Sequence, residues 1–180
     1  MDHIQEYAKV YNIIPKEECQ DIITDCENHD GWQKHSWYGH GNADTKQEKD
    51  IYNVLLNGTI SSKLKAYISK AIDQYCSEMR TLDRSEIRDW SPVRVNKYDI
   101  GSKMIEHTDL LRRHKRDGVP VLTVLGVLND DFEGGEFLVA GKEITLSQGD
   151  IIVFPSTFIY PHEVREITQG SRWSWVTWTY

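Results

Sequence analysis

Apolar positions change their spacing near residue 90. Before that point they recur at intervals of three and four. After it they alternate or gather in short runs between glycines. Cys19, Ile22, Ile23 and Cys26 form one stripe. It predicts a helix that starts at Pro15, carries Lys16, Glu17 and Glu18 in its first turn, and ends over residues 28–31. Leu64, Tyr67, Ile68, Ala71, Ile72, Tyr75 and Met79 predict a second helix over residues 60–79, with Ser61 or Ser62 as its cap. Its one apolar face requires a sheet to lie against. A first strand is read over residues 7–14.

Beyond Pro92 the pattern predicts strands near 93–99, 103–107, 119–128, 136–140, 143–146, 150–154, 161–167 and 171–179. Turns at Gly134-Gly135, Gly141-Lys142, Gly149-Asp150 and Gln169-Gly170 separate several of them. So many short strands in so little chain point to a barrel or jelly roll. Residues 32–50 read as a tryptophan-packed strand followed by a solvated loop, or as a lid that brings Trp32, His35, Trp37, Tyr38 and His40 over a site.

Composition narrows the classes. At 180 residues, 39% hydrophobic and 27% charged, the chain suits one globular domain, with 1–90 as support and 91–180 as core. A net charge of −7 argues against general nucleic-acid binding, which depends on many phosphate contacts. No apolar run is long enough to span a bilayer, and MDHIQEYAK has no apolar signal core. Three cysteines, not spaced for zinc, read as small core hydrophobes and favour a reducing cytoplasm. Arg112, Arg113, His114, Lys115 and Arg116 interrupt the acidic balance as a solvated loop or a cationic rim for an acidic substrate.

The chemistry gathers after Asn96. His107 and Asp109 lie two apart, so in an extended segment they share a face and can grip one metal ion. The candidate third ligand is His162. Two histidines and a carboxylate on one face of an octahedral ion leave positions open, as in non-haem Fe(II) oxygenases. Arg172 and Ser174 follow on the last strand, on one face. A guanidinium inside a barrel needs an anion, either a structural Asp or Glu or the far carboxylate of a metal-chelating diacid.

From about residue 93 to the end, the sequence resembles the 2-oxoglutarate and Fe(II)-dependent oxygenases, above all their prolyl 4-hydroxylase-like branch. The resemblance rests on Tyr98-x-x-Gly101, His107-Thr108-Asp109, Leu128-Asn129, Gly134-Gly135-Glu136, Gly149-Asp150, Phe154-Pro155, His162 and Arg172-x-Ser174. It implies a mainly β fold with flanking helices and a double-stranded β-helix core. It further implies Fe(II) on His107, Asp109 and His162, and 2-oxoglutarate on Arg172 and Ser174 with Tyr98 close by. Asn96 joins Tyr98 by similarity to the alkylated-nucleic-acid demethylases, and Trp178 walls the pocket. The cofactors implied are Fe(II), 2-oxoglutarate and O2, with ascorbate as an optional addition.

Three departures bear on substrate. Met104 and Val127 stand where relatives carry tyrosine, and Arg172 stands where collagen-type enzymes often carry lysine. The reading favoured is a dioxygenase that hydroxylates an unactivated C–H bond, with peptidyl proline as first choice, and decarboxylates 2-oxoglutarate to succinate and CO2. Its partner would be a protein or peptide. The alternatives are an oxidative demethylase of alkylated nucleic acid, which would want a further arginine beyond Arg172, and a non-catalytic jelly-roll binding module.

Overall fold

The computed structural model describes residues 2–35, 51–56, 58–80, 82–87, 89–110 and 118–180. After a 3-10 turn at Asp2–Tyr7, the first half holds β1 (Lys9–Asn12), α1 (Lys16–Glu27), β2 (Gln33–Lys34), β3 (Ile51–Leu55) and α2 (Gly58–Glu78). The second half opens with β4 (Arg94–Tyr98), β5 (Met104–His107), β6 (Leu122–Val127), β7 (Glu133–Gly134) and β8 (Phe137–Val139). It closes with β9 (Lys142–Ile144), β10 (Asp150–Pro155), β11 (His162–Val164), β12 (Ile167–Gln169) and β13 (Arg172–Trp178).

A seven-stranded sheet, in the order β1-β10-β6-β13-β4-β3-β2, faces a four-stranded sheet, β5-β11-β8-β9. Every pairing in both is antiparallel. This is the mainly β architecture with two flanking helices expected of a jelly-roll core. Strands from the N-terminal half join the large sheet at both edges, β1 against β10 and β3 against β4.

The large sheet separates two cores by side-chain parity. On one face Val54, Val93, Val95, Val124, Trp173 and Trp175 meet Cys19, Ile22, Ile23 and Cys26 of α1 and Leu64, Ile68 and Ile72 of α2. On the other face Tyr98, Leu125, Val127, Ile152, Val176 and Trp178 meet Phe137, Val139 and Val164 of the small sheet. Both predicted stripes are therefore the buried faces of their helices. Trp32 closes the end of α1, its Nε1 donating to Cys26 O at 2.8 Å while its ring stands edge-on to Trp173.

Close packing explains one glycine. Gly126 is the cross-strand partner of Trp175, and a Cβ there would sit 2.2 Å from the indole. A second motif piece, Asn129, ties two elements. Its Oδ1 accepts from Trp173 N at 2.7 Å and its Nδ2 donates to Ser171 O at 2.8 Å, which pins the start of β13 to the chain leaving β6.

The structure corrects several expectations. The helix read over 60–79 begins at Gly58, so Ser61 and Ser62 lie inside it and cannot cap it. The strand read over 161–167 is two strands, because the chain leaves the small sheet after Val164 to pair with β7. Gly134, read as a turn residue alone, is half of that short strand. The strand read over 7–14 is shorter, since Tyr7 closes the 3-10 turn. Neither β3 nor its pairing with β4 was expected. The run 112–116 and Trp37, Tyr38 and His40 of the suggested lid lie outside the described residues.

Candidate metal centre

β5 and β11 pair so that His107 and His162 stand directly opposite one another, with ring centroids 4.2 Å apart. Asp109 follows β5 and turns its carboxylate between them. Its Oδ1 is 3.8 Å from His107 Nε2 and its Oδ2 is 3.4 Å from His162 Nε2. One ligand atom from each residue lies within 4.8 Å of the others, and among the described residues this is the one such group. His35, also buried, is not part of it.

Each imidazole is oriented in the same way. His107 Nδ1 meets Ile105 O at 2.8 Å, and His162 Nδ1 meets Tyr160 O at 3.2 Å. A carbonyl only accepts, so both Nδ1 atoms carry a proton, and both Nε2 atoms are turned to the carboxylate. Burial first, and then His162, push His107 down to about 4, so it stays neutral at pH 7 and able to ligate. Burial alone would raise the Asp109 carboxyl. The two histidines, with the hydrogen bond from Thr123, outweigh it and hold the group below the usual carboxylate range. Thr123 Oγ1 donates to Asp109 Oδ2 at 2.8 Å. Neutral nitrogens, an ionised oxygen and hydrogen-bonded outer positions are what a divalent iron ion requires. The residues present fit the group.

Arg172 starts β13 on the same inner face as Ser174 and Trp178, and it is 1% exposed. Its Nη1 donates to Ser174 Oγ at 2.8 Å, and its guanidinium lies 5.3 Å from the Tyr98 ring. Burial lowers its pKa, and among the described residues no carboxylate pairs with it. Gly135, with φ of 74° at Gly134 before it and 67° at itself, makes the space. A Cβ on Gly135 would come within 3.2 Å of Arg172 Cδ. Asn96, the register partner of Ser174, is 2% exposed and its Oδ1 has no hydrogen-bond partner among the described residues.

A cavity of about 170 Å³ reaches Arg172 between Val127, Phe137 and Leu146. A larger open one of about 660 Å³, beside Lys103, Glu106, Glu163 and Arg165, touches none of the three ligand residues. The donor geometry, not cavity size, locates the chemistry. All the residues singled out from the sequence, His107, Asp109, His162, Asn96, Tyr98, Arg172 and Ser174, fall on the space between the two sheets. Sequence reasoning missed Thr123, and it picked out Gly135 as a turn and motif residue without its place beside Arg172. A hydroxyl inside the otherwise apolar strand LTVLGV was the available hint for the first.

A buried two-histidine, one-carboxylate group between jelly-roll sheets, with a buried guanidinium on the facing sheet that pairs with no carboxylate among the described residues, defines the non-haem iron class of site. Residues 93–180 match the model of the 2OG-Fe(II) oxygenase superfamily. Its name supplies the cofactors, Fe(II), 2-oxoglutarate and O2. A PKHD-type hydroxylase from Methylobacterium nodulans is 34% identical over 118 residues, 56% of this chain and 51% of that protein. Another from Gluconacetobacter diazotrophicus is 32% identical over 98 residues, 49% and 42% of the two chains. The chain thus spans about half the length of the curated relatives it matches.

Among solved structures, a Trichoplax adhaerens prolyl hydroxylase in complex with a hypoxia inducible factor peptide fragment shares the fold. Its TM-score is 0.73 at 19% identity, covering 97% of this chain and 83% of that one. A Pseudomonas putida prolyl-4-hydroxylase gives 0.69 at 17% identity, covering 96% and 91%. No described helix is long and apolar enough to cross a membrane.

Proposed function

We propose that this chain is a 2-oxoglutarate-dependent dioxygenase that hydroxylates an unactivated C–H bond, with a peptidyl proline as its target. One observation carries the reading. A fully buried guanidinium, without a carboxylate partner among the described residues, lies on the inner face of the sheet opposite a ready-made iron ligand set. Such a charge is costly unless an anion meets it, and a small dicarboxylate would meet it while reaching the metal.

When bound, iron and 2-oxoglutarate supply the oxidation: the cosubstrate loses CO2 to become succinate, and the two atoms of O2 pass to succinate and to the product hydroxyl. The protein's share is placement. His107, Asp109 and His162 would hold the ion, with both imidazoles locked by their Nδ1 protons. Arg172 and Ser174 would take the distal carboxylate, and Tyr98 and Asn96 would line its passage. Phe154 and Phe137, both against the His162 ring, exclude water from one side. The strands added by residues 1–90 to the large sheet support a reading of the chain as one working unit.

A peptide substrate is favoured by the hydroxylase names of the sequence relatives and by the peptide bound to the Trichoplax neighbour. The test is mass spectrometry of proline-containing peptides and methylated oligonucleotides after incubation with Fe(II) and 2-oxoglutarate. A gain of one oxygen on proline, with matching succinate, is expected. Demethylated oligonucleotide with unaltered peptide would reverse the substrate assignment.

A further inference from the structure

Asp109 is the one ligand whose geometry is not set by its own backbone. Each histidine is fixed by a carbonyl two residues earlier, but the carboxylate depends on groups from distant strands. Thr123, on the inner face of β6, donates its hydroxyl proton to Asp109 Oδ2 at 2.8 Å. Its oxygen lies 2.9 Å from Ser156 Oγ, just past the end of β10. Thr123 is 0% exposed and Ser156 1%, so neither hydroxyl is there for solvent.

Counting protons gives the chain a direction. A threonine hydroxyl has one proton and accepts with its lone pairs. That proton is committed to Asp109, so Ser156 must donate to Thr123. The order is Ser156 O–H to Thr123 Oγ1–H to Asp109 Oδ2. Hydrogen bonds arranged head to tail polarise one another, which strengthens the last bond at the carboxylate. The carboxylate is thereby held from the β6–β10 side.

We propose that Thr123 and Ser156 are positioning residues for the metal centre, a two-hydroxyl brace that fixes the rotation of the Asp109 carboxylate before any ion arrives. The inference rests on the metal reading of the His107, Asp109 and His162 group. It predicts that metal affinity depends on two hydroxyls that touch no metal. A free carboxylate would rotate and lose entropy on binding, whereas a braced one is already placed. Within the chain the brace also explains why polar side chains are tolerated in two fully buried segments.

The test is anaerobic titration of the full chain with Mn(II), followed by calorimetry, with the melting temperature of the metal-free protein recorded beside it. Thr123→Val keeps the shape and removes the donor, and should weaken Mn(II) binding roughly ten- to hundred-fold. Thr123→Ser restores the donor and should bind within about threefold of wild type, a rescue that a purely packing role for Thr123 would not give. Ser156→Ala should fall between them, and it carries the test if Thr123→Val does not fold. Wild-type affinity in Thr123→Val or Ser156→Ala would overturn the brace and leave the metal site standing. A wild-type chain that takes up no Mn(II) would instead overturn the metal reading on which the brace depends.

Discussion

Replacing Arg172 by Met tests the cosubstrate assignment with a signal that can be worked out in advance. The guanidinium is 1% exposed, bonded to Ser174 Oγ at 2.8 Å, and paired with no carboxylate among the described residues. Methionine retains much of the volume and removes the charge. The metal-free protein should lose no stability, because an uncompensated buried charge is itself unfavourable. What disappears is the attraction for a dicarboxylate. Charge-assisted hydrogen bonds contribute about 1.5–3 kcal/mol, so affinity should fall roughly ten- to hundred-fold. The assay is thermal unfolding with Mn(II) in place of Fe(II), which prevents turnover, at a fixed 2-oxoglutarate concentration near 100 times the wild-type dissociation constant. Wild type then gains about 2.7 kcal/mol. For a domain of this size that is a rise of roughly 5–10 °C. With affinity reduced a hundredfold the same concentration contributes only about 0.4 kcal/mol, a rise of roughly 1 °C. Equal rises in the two proteins would refute the role given to Arg172, whatever their melting temperatures without ligand.

Three further outcomes follow from the geometry. Asp109→Ala removes the sole carboxylate of the ligand group, and Mn(II) titration should then show no stoichiometric binding; retained binding at wild-type affinity would move the site elsewhere. Gly126→Ala forces a Cβ to 2.2 Å from the Trp175 indole and should destabilise the fold by about 1–3 kcal/mol in urea unfolding, an overpacking effect. Burial pushes Cys19 up to about 11 and Cys26 up to about 12, and it raises Cys76 as well. In the folded protein at pH 8, roughly one Cys19 in a thousand is then ionised, so iodoacetamide should label none of the three thiols natively and all three in urea, as read by mass spectrometry. Raising the pH toward 10 lifts the thiolate fraction but leaves the buried sulfurs inaccessible. Labelling of folded protein would refute their place in the core.

Legibility in the sequence followed the strength of local signal. The positions of Arg172 and Ser174 on one face of a strand were readable from parity, and the grouping of His107, Asp109 and His162 from motif order, although Asp109 lies beyond the end of β5. The helix stripes were readable because burial on one side imposes a period. The start of α2 was not, since Gly58 carries no cap signature and Ser61 looked like one. β3 escaped because IYNVL follows a long polar stretch and its burial pattern does not alternate. The division between β11 and β12 falls at Arg165 and Glu166, where Glu166 O is taken by Gly135 N, a partner some thirty residues away that no local pattern reveals. Thr123 and Ser156 were invisible for a similar reason: one hydroxyl in an apolar run has no spacing to recognise until the fold sets it against Asp109.

β13 joins these levels, because one strand serves two requirements that would conflict on a helix. Arg172, Ser174, Val176 and Trp178 point into the space between the sheets, while Trp173 and Trp175 point at α1 and α2. Alternation keeps the indoles of Trp173 and Trp175 out of the space between the sheets, and keeps the buried charge out of the helical core. The pinning of Trp173 N by Asn129 Oδ1 fixes the register of this strand at its first turn of pleat. A slip of one residue would drive Arg172 into the apolar helix layer and turn Trp173 and Trp175 into the space between the sheets. Leu128-Asn129 is therefore part of the functional apparatus without touching any ligand, since it determines which face of β13 meets the iron site.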